Sequence, residues 1–150
     1  MTGQDSIDEV LDFAIEREIE ANELYTDLAG RVENAAMRKV LEDFAKEELG
    51  HKAKLEAMKA GTTTVPTERV ADLKIADYVV DAEIQPNMDY QDALLLAMKN
   101  EKAAFALYTD LAEAAEDNAL RETFLALAQE EAKHKLRFEI EYDDVILKEN

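Results

Sequence analysis

Both histidines of this 150-residue chain follow a glutamate by three positions, in Glu48-Leu49-Gly50-His51 and Glu131-Ala132-Lys133-His134. On a helix that spacing sets both side chains on one face, where they can hold one metal ion together. Two further glutamates, Glu18 and Glu101, fall at the same level of two other helical stripes. Four carboxylates balance the charge of two divalent cations, and two imidazoles bind them as neutral ligands. Oxygen and nitrogen donors without sulfur suit iron or manganese, with zinc also possible. Without such cations, buried carboxylates are costly to desolvate and repel one another.

The elements that must carry these residues are helices. Apolar positions recur at steps of three and four in four long stretches. One stripe runs Leu11, Ala14, Glu18, Ala21, Tyr25, Leu28; its counterpart runs Leu94, Ala97, Glu101, Ala104, Tyr108, Leu111. The other two run Met37, Leu41, Phe44, Glu48, His51, Leu55 and Leu120, Phe124, Leu127, Glu131, His134, Phe138. Each stripe is apolar or aromatic except at the level of the glutamates and histidines. A solvated acidic face would not be flanked in this way. The spacing predicts helices over about 6–32, 35–60, 89–115 and 118–146. Ser6 and Glu9 have capping-box spacing, Asp89 is a good N-cap, and Gly61 stands in a stop position.

Short joints within each helix pair imply antiparallel hairpins, and the two hairpins resemble one another. Moving residues 14–57 onto 97–140, a shift of 83, gives 18 identities in 44 positions, including Leu24-Tyr25-Thr26-Asp27-Leu28-Ala29 against Leu107-Tyr108-Thr109-Asp110-Leu111-Ala112. A repeated hairpin points to a four-helix bundle with an approximate internal two-fold axis. The expected organisation is one domain over 1–150, with hairpins at 6–60 and 89–147. A long crossover at 61–88 would join them, containing both prolines and a short helix near 72–81.

Composition narrows the function. With 47% hydrophobic residues the chain is not disordered, and four glycines with two prolines leave too few turns for an all-β fold. No cysteine means no disulfide, thiolate site or iron–sulfur cluster. Seventeen basic against 35 acidic residues give a net charge of −18, which disfavours nucleic acid and anionic lipid. No stretch reads as a membrane span or a signal peptide, so the cytoplasm is the expected compartment.

A Glu on each of two helices with Glu-x-x-His on the other two resembles the ferritin-like di-iron carboxylate pattern. More narrowly, Ala14-Ile15-Glu16-Arg17-Glu18 through Tyr25, then Glu47-Glu48-Leu49-Gly50-His51, resembles the rubrerythrin family. So does Glu101 through Tyr108, followed by Glu130-Glu131-Ala132-Lys133-His134. The resemblance implies an all-α, ferritin-like four-helix bundle with two iron ions per chain. It implies Glu18 and Glu101 as terminal ligands, Glu48 and Glu131 as bridging ligands, and one nitrogen each from His51 and His134. These six residues would act in catalysis through the metals. Tyr25 and Tyr108, two turns from Glu18 and Glu101, would support the ligand carboxylates through their hydroxyls. Glu47 and Glu130 are expected to be solvated. The implied activity is reduction of hydrogen peroxide in oxidative-stress defence, with hydrogen peroxide or dioxygen as oxidant. The chain departs from the family at Ala104, where many members carry a further glutamate. It also lacks the cysteines of a rubredoxin-like module, so electrons would come from a separate rubredoxin-like donor. A homodimer is the expected assembly. Other readings are a ferroxidase or iron-handling protein, a di-iron oxygenase, and a non-catalytic metal-binding bundle.

Overall fold

The computed structural model describes residues 7–61, 73–80, 85 and 88–149, and Ser6 of the capping box lies outside them. Four helices carry the fold: α1 (Ile7–Arg31), α2 (Ala35–Ala60), α3 (Tyr90–Ala114) and α4 (Asn118–Glu149). A single 3-10 turn, Ile75–Tyr78, is the helical structure described within the crossover, shorter than the helix expected there. Among the described residues there is no strand, and no helix is long and apolar enough to cross a membrane. The molecule is an all-α ferritin-like four-helix bundle.

Local chemistry sets the helix ends. Asn34 accepts the Met37 amide at 3.0 Å and Asp89 accepts the Asp92 amide at 2.7 Å, each satisfying one orphan donor of a first turn. Gly61 closes α2 with φ −93°, so it is not needed for a left-handed turn. A Cβ there would instead come within 3.0 Å of the Ala57 carbonyl oxygen. Both hairpin bends are held by an arginine one turn into the following helix. Arg38 donates to the Val32 and Ala29 carbonyls at 2.9 and 3.3 Å, and Arg121 donates to the Ala115 carbonyl at 2.8 Å. These bonds satisfy carbonyls that a helix C-terminus leaves unpaired. Helix α4 runs three residues beyond the expected end at 146.

The stripes meet as two apolar layers. One contains Val10, Leu11, Ala14, Leu55, Leu107, Leu111, Phe124 and Leu127. The other contains Leu24, Leu28, Met37, Leu41, Leu94, Ala97 and Phe138. The start of α1 thus shares a layer with the end of α3, as antiparallel helices require. Between the layers lies a level of six polar side chains.

Candidate metal centre

Glu18, Glu48, His51, Glu101, Glu131 and His134 occupy that level, and each is at most 2% exposed. They form two overlapping groups whose ligand atoms lie within 4.8 Å of one another: Glu18, Glu48, His51 and Glu131, and Glu48, Glu101, Glu131 and His134. Glu48 and Glu131 belong to both groups, whereas Glu18 and Glu101 belong to one each. That division would let Glu48 and Glu131 reach both ions and Glu18 and Glu101 one each. His51 Nδ1 lies 2.8 Å from Glu131 Oε1 and 3.4 Å from Glu18 Oε2. His134 Nδ1 lies 3.1 Å from Glu48 Oε1 and 3.7 Å from Glu101 Oε2.

The inward atoms of all six side chains have no hydrogen-bond partner among the described residues: Glu18 Oε2, Glu48 Oε1, His51 Nδ1, Glu101 Oε2, Glu131 Oε1 and His134 Nδ1. Buried polar atoms are ordinarily satisfied. Six unsatisfied atoms gathered in two overlapping groups, four oxygens and two nitrogens, fit two divalent cations. The donor set therefore passes the test of its chemistry.

Outward atoms are engaged instead. Tyr25 donates its hydroxyl to Glu101 and Tyr108 donates to Glu18, each across from the opposite apolar layer. Each tyrosine thus supports the carboxylate of the other hairpin. The histidines turn Nε2 away from the centre, His51 toward Glu130 and His134 toward Glu47, the latter at 3.0 Å. Glu47 and Glu130 are solvated as expected, and they have a contact that the expectation did not include. Their side chains are 48% and 39% exposed, yet each places one oxygen on the histidine of the other hairpin. Such a contact fixes the ring so that Nδ1 faces the centre. Phe44 stacks on the His134 ring, centroids 4.0 Å apart; the position that the shift of 83 relates to Phe44 holds Leu127, which has no ring to stack. The two halves are alike in ligands and unlike in packing.

Without metal, electrostatics express the crowding. Burial, followed by the charge of Glu131, pushes Glu48 and Glu101 well above the usual carboxylate range and raises Glu18. Burial would raise Glu131 as well, but the adjacent His51 ring holds it below its ordinary value. Burial opposes a charge on His51, yet Glu131 and Glu18 outweigh it and carry its pKa to about 10. Burial keeps His134 below its ordinary value, even with Glu131 nearby. A divalent cation would displace these protons and remove the repulsion.

A narrow crevice reaches this level between α1 and α3. Glu18, Glu48, Glu101 and Glu131 line its buried end, with Ala21 and Ala104 beside them and Tyr78 and Val80 of the crossover over it. The space open to the centre of a water-sized sphere is about 20 Å³.

The bundle and its buried carboxylate–histidine cluster define the class of ferritin-like proteins with a di-metal site. Within that class, the family model for rubrerythrin matches residues 9–86 and 92–150, and the chain belongs to the rubrerythrin family. A hypothetical protein of Pyrococcus furiosus is 27% identical, with a TM-score of 0.71, over 92% of this chain and 89% of that one. A structure from Thermotoga maritima described as a ferritin-like diiron-carboxylate protein is 18% identical, with a TM-score of 0.80, over 97% and 99%. KatB, a manganese catalase from Anabaena, is 20% identical, with a TM-score of 0.67, over 94% and 74%. None of the curated proteins compared matches the chain.

Proposed function

We propose that the protein is an oxidoreductase with iron at both metal positions, and that it reduces hydrogen peroxide in oxidative-stress defence. The observation that carries this reading is the convergence of six buried, unpartnered ligand atoms at one level of an otherwise apolar core. Bound iron would supply the two electrons that split the O–O bond, and two protons complete the reduction of peroxide to two waters. The protein's own residues prepare the site. Glu48 and Glu131 link its halves, Tyr25 and Tyr108 hold Glu101 and Glu18 by donated hydrogen bonds, and Glu130 and Glu47 orient the two imidazoles. The apolar layers on either side limit entry of water.

The size of the crevice favours a small oxidant over an organic substrate. Its free space, about 20 Å³ before any metal takes up room among the glutamates that line it, is little more than the roughly 10–15 Å³ one water needs, which suits a molecule of peroxide's size. Electrons come from a separate donor protein of rubredoxin-like type. Two copies of the chain pair through the outer face of α4, where Leu125, Leu136, Ile140 and Leu147 stand exposed. Antiparallel pairing centred on Leu136 sets Leu125 beside Leu147, matching apolar with apolar.

Elemental analysis and stopped-flow mixing test the proposal. The purified protein should hold two iron ions per chain, and its anaerobically reduced form should react faster with hydrogen peroxide than with dioxygen. A dioxygen rate equal to or above the peroxide rate would support a ferroxidase or oxygenase instead. Only trace metal after growth with supplied iron, manganese and zinc would overturn the metal reading itself.

A further inference from the structure

The α1–α3 crevice has a partly exposed side as well as a buried end, and among the described residues Arg17 is the one basic side chain that lines it. Arg17 belongs to α1, its guanidinium 4.9 Å from the Phe13 ring centre, with one terminal nitrogen 2.6 Å from Glu20. Its Nε is buried and has no hydrogen-bond partner among the described residues. A buried N–H without an acceptor is costly, and this one stays unmet although the guanidinium's charge is already paired with Glu20. Farther in, Ala21 and Ala104 present only methyl groups at the level of the glutamates, where larger side chains would close the space. At the inner end lie the unpartnered oxygens of four buried carboxylates. Tyr78 is held over the crevice by its hydroxyl, which donates to Asp110 on α3 at 2.5 Å. An unmet donor, two small side chains and a set of unmet ligand atoms therefore line the same crevice.

We infer that this crevice is the entry route and docking site for a ligand of two or three heavy atoms bearing an acceptor atom, and that Arg17 donates the first hydrogen bond the ligand meets. Ala21 and Ala104 set the size limit. The inference rests on the di-metal reading above, since the crevice leads to that centre. It adds which face admits the ligand and which residues select it.

Azide is a suitable probe, because it is linear, has three heavy atoms, accepts hydrogen bonds and colours a ferric centre on binding. Azide association with the iron-loaded, oxidised protein would be followed by absorbance, with iron content measured on every variant. Ala104→Leu should slow association by about tenfold or more at unchanged iron content, because its side chain fills the passage. Arg17→Gln should weaken binding by about three- to tenfold through loss of a charge-assisted donor. Ala53→Leu, on the exposed face of α2, should leave both unchanged. If Ala104→Leu does not fold, Ala103→Leu at the partly exposed side tests the same obstruction. Wild-type azide kinetics in a fully loaded leucine variant would overturn the route, and so would absence of azide binding by loaded wild type. Failure to load iron would instead remove the centre on which the route depends.

Discussion

At the scale of single residues, the centre is made by pairs that cross between hairpins. The Glu47–His134 and Glu130–His51 contacts each act on one half of the site. Glu47→Ala and Glu130→Ala should therefore each weaken one metal position, by about 10–100-fold, while the other keeps its affinity. Two-step metal titration followed by calorimetry separates the halves; equal weakening of both would contradict the assignment. The metal-free protein should also lose stability as pH rises. Above pH 4.5 the folded chain keeps protons on Glu48 and Glu101 that the unfolded chain has lost. From pH 6.5 to about 10 His51 continues the trend, because folding holds it protonated and that contribution disappears as pH passes the raised pKa. Glu131 works oppositely below pH 4.5, and so does His134, held below its ordinary value by burial, as pH approaches 6.5 from below. Denaturant unfolding of metal-free protein at pH 6.5 and 9.5 should show the fall, and His51→Gln should reduce it. A profile unchanged by the substitution would count against a protonated His51.

At the scale of helices, much was legible because helical period converts spacing into direction. The stripes through Glu18, Glu48, Glu101 and Glu131 could be read along one helix at a time, and all six ligand candidates fall on them. Glu47 and Glu130 lie one position off the stripe, and their partners stand on another helix, so spacing within a helix carried no sign of their contact. The duplicated Glu-Glu pairs were the signal, since Glu47 and Glu130 recur at the same shift of 83 as the ligands. The crossover was least legible: without a long apolar period, its 3-10 turn depends on Tyr78 finding the layer beneath it and Asp110 beyond. Gly50 shows a different limit. It sits within α2, exposed, with open space where a Cβ would stand. Gly50→Ala should raise stability by about 0.5–1 kcal/mol, measured by denaturant unfolding of metal-free protein. A loss of stability would mean that the glycine relieves a constraint absent from this conformation.

At the scale of the whole molecule, the outer face of α4 leaves Leu136 59% and Leu147 72% exposed, in a row that a second copy could cover. Leu136→Lys places two like charges at the centre of the antiparallel pairing and should yield a monomer by light scattering, with iron content and helicity retained. A dimer that survives this substitution would have its interface elsewhere.

The shared glutamates tie metal occupancy to the chain's connectivity. Each ligand group takes three residues from one hairpin and one from the other: Glu131 completes the set of Glu18, Glu48 and His51, and Glu48 completes that of Glu101, Glu131 and His134. Neither hairpin owns a whole coordination set, so any ion that binds also clasps the two hairpins. Their covalent joint in the crossover supplies proximity, and the metals supply a second, non-covalent joint through the middle of the core. A chain severed in that crossover would become a two-part assembly held by the shared apolar layers and tightened by metal: mixed fragments should associate more strongly when metal is added and more weakly when it is chelated.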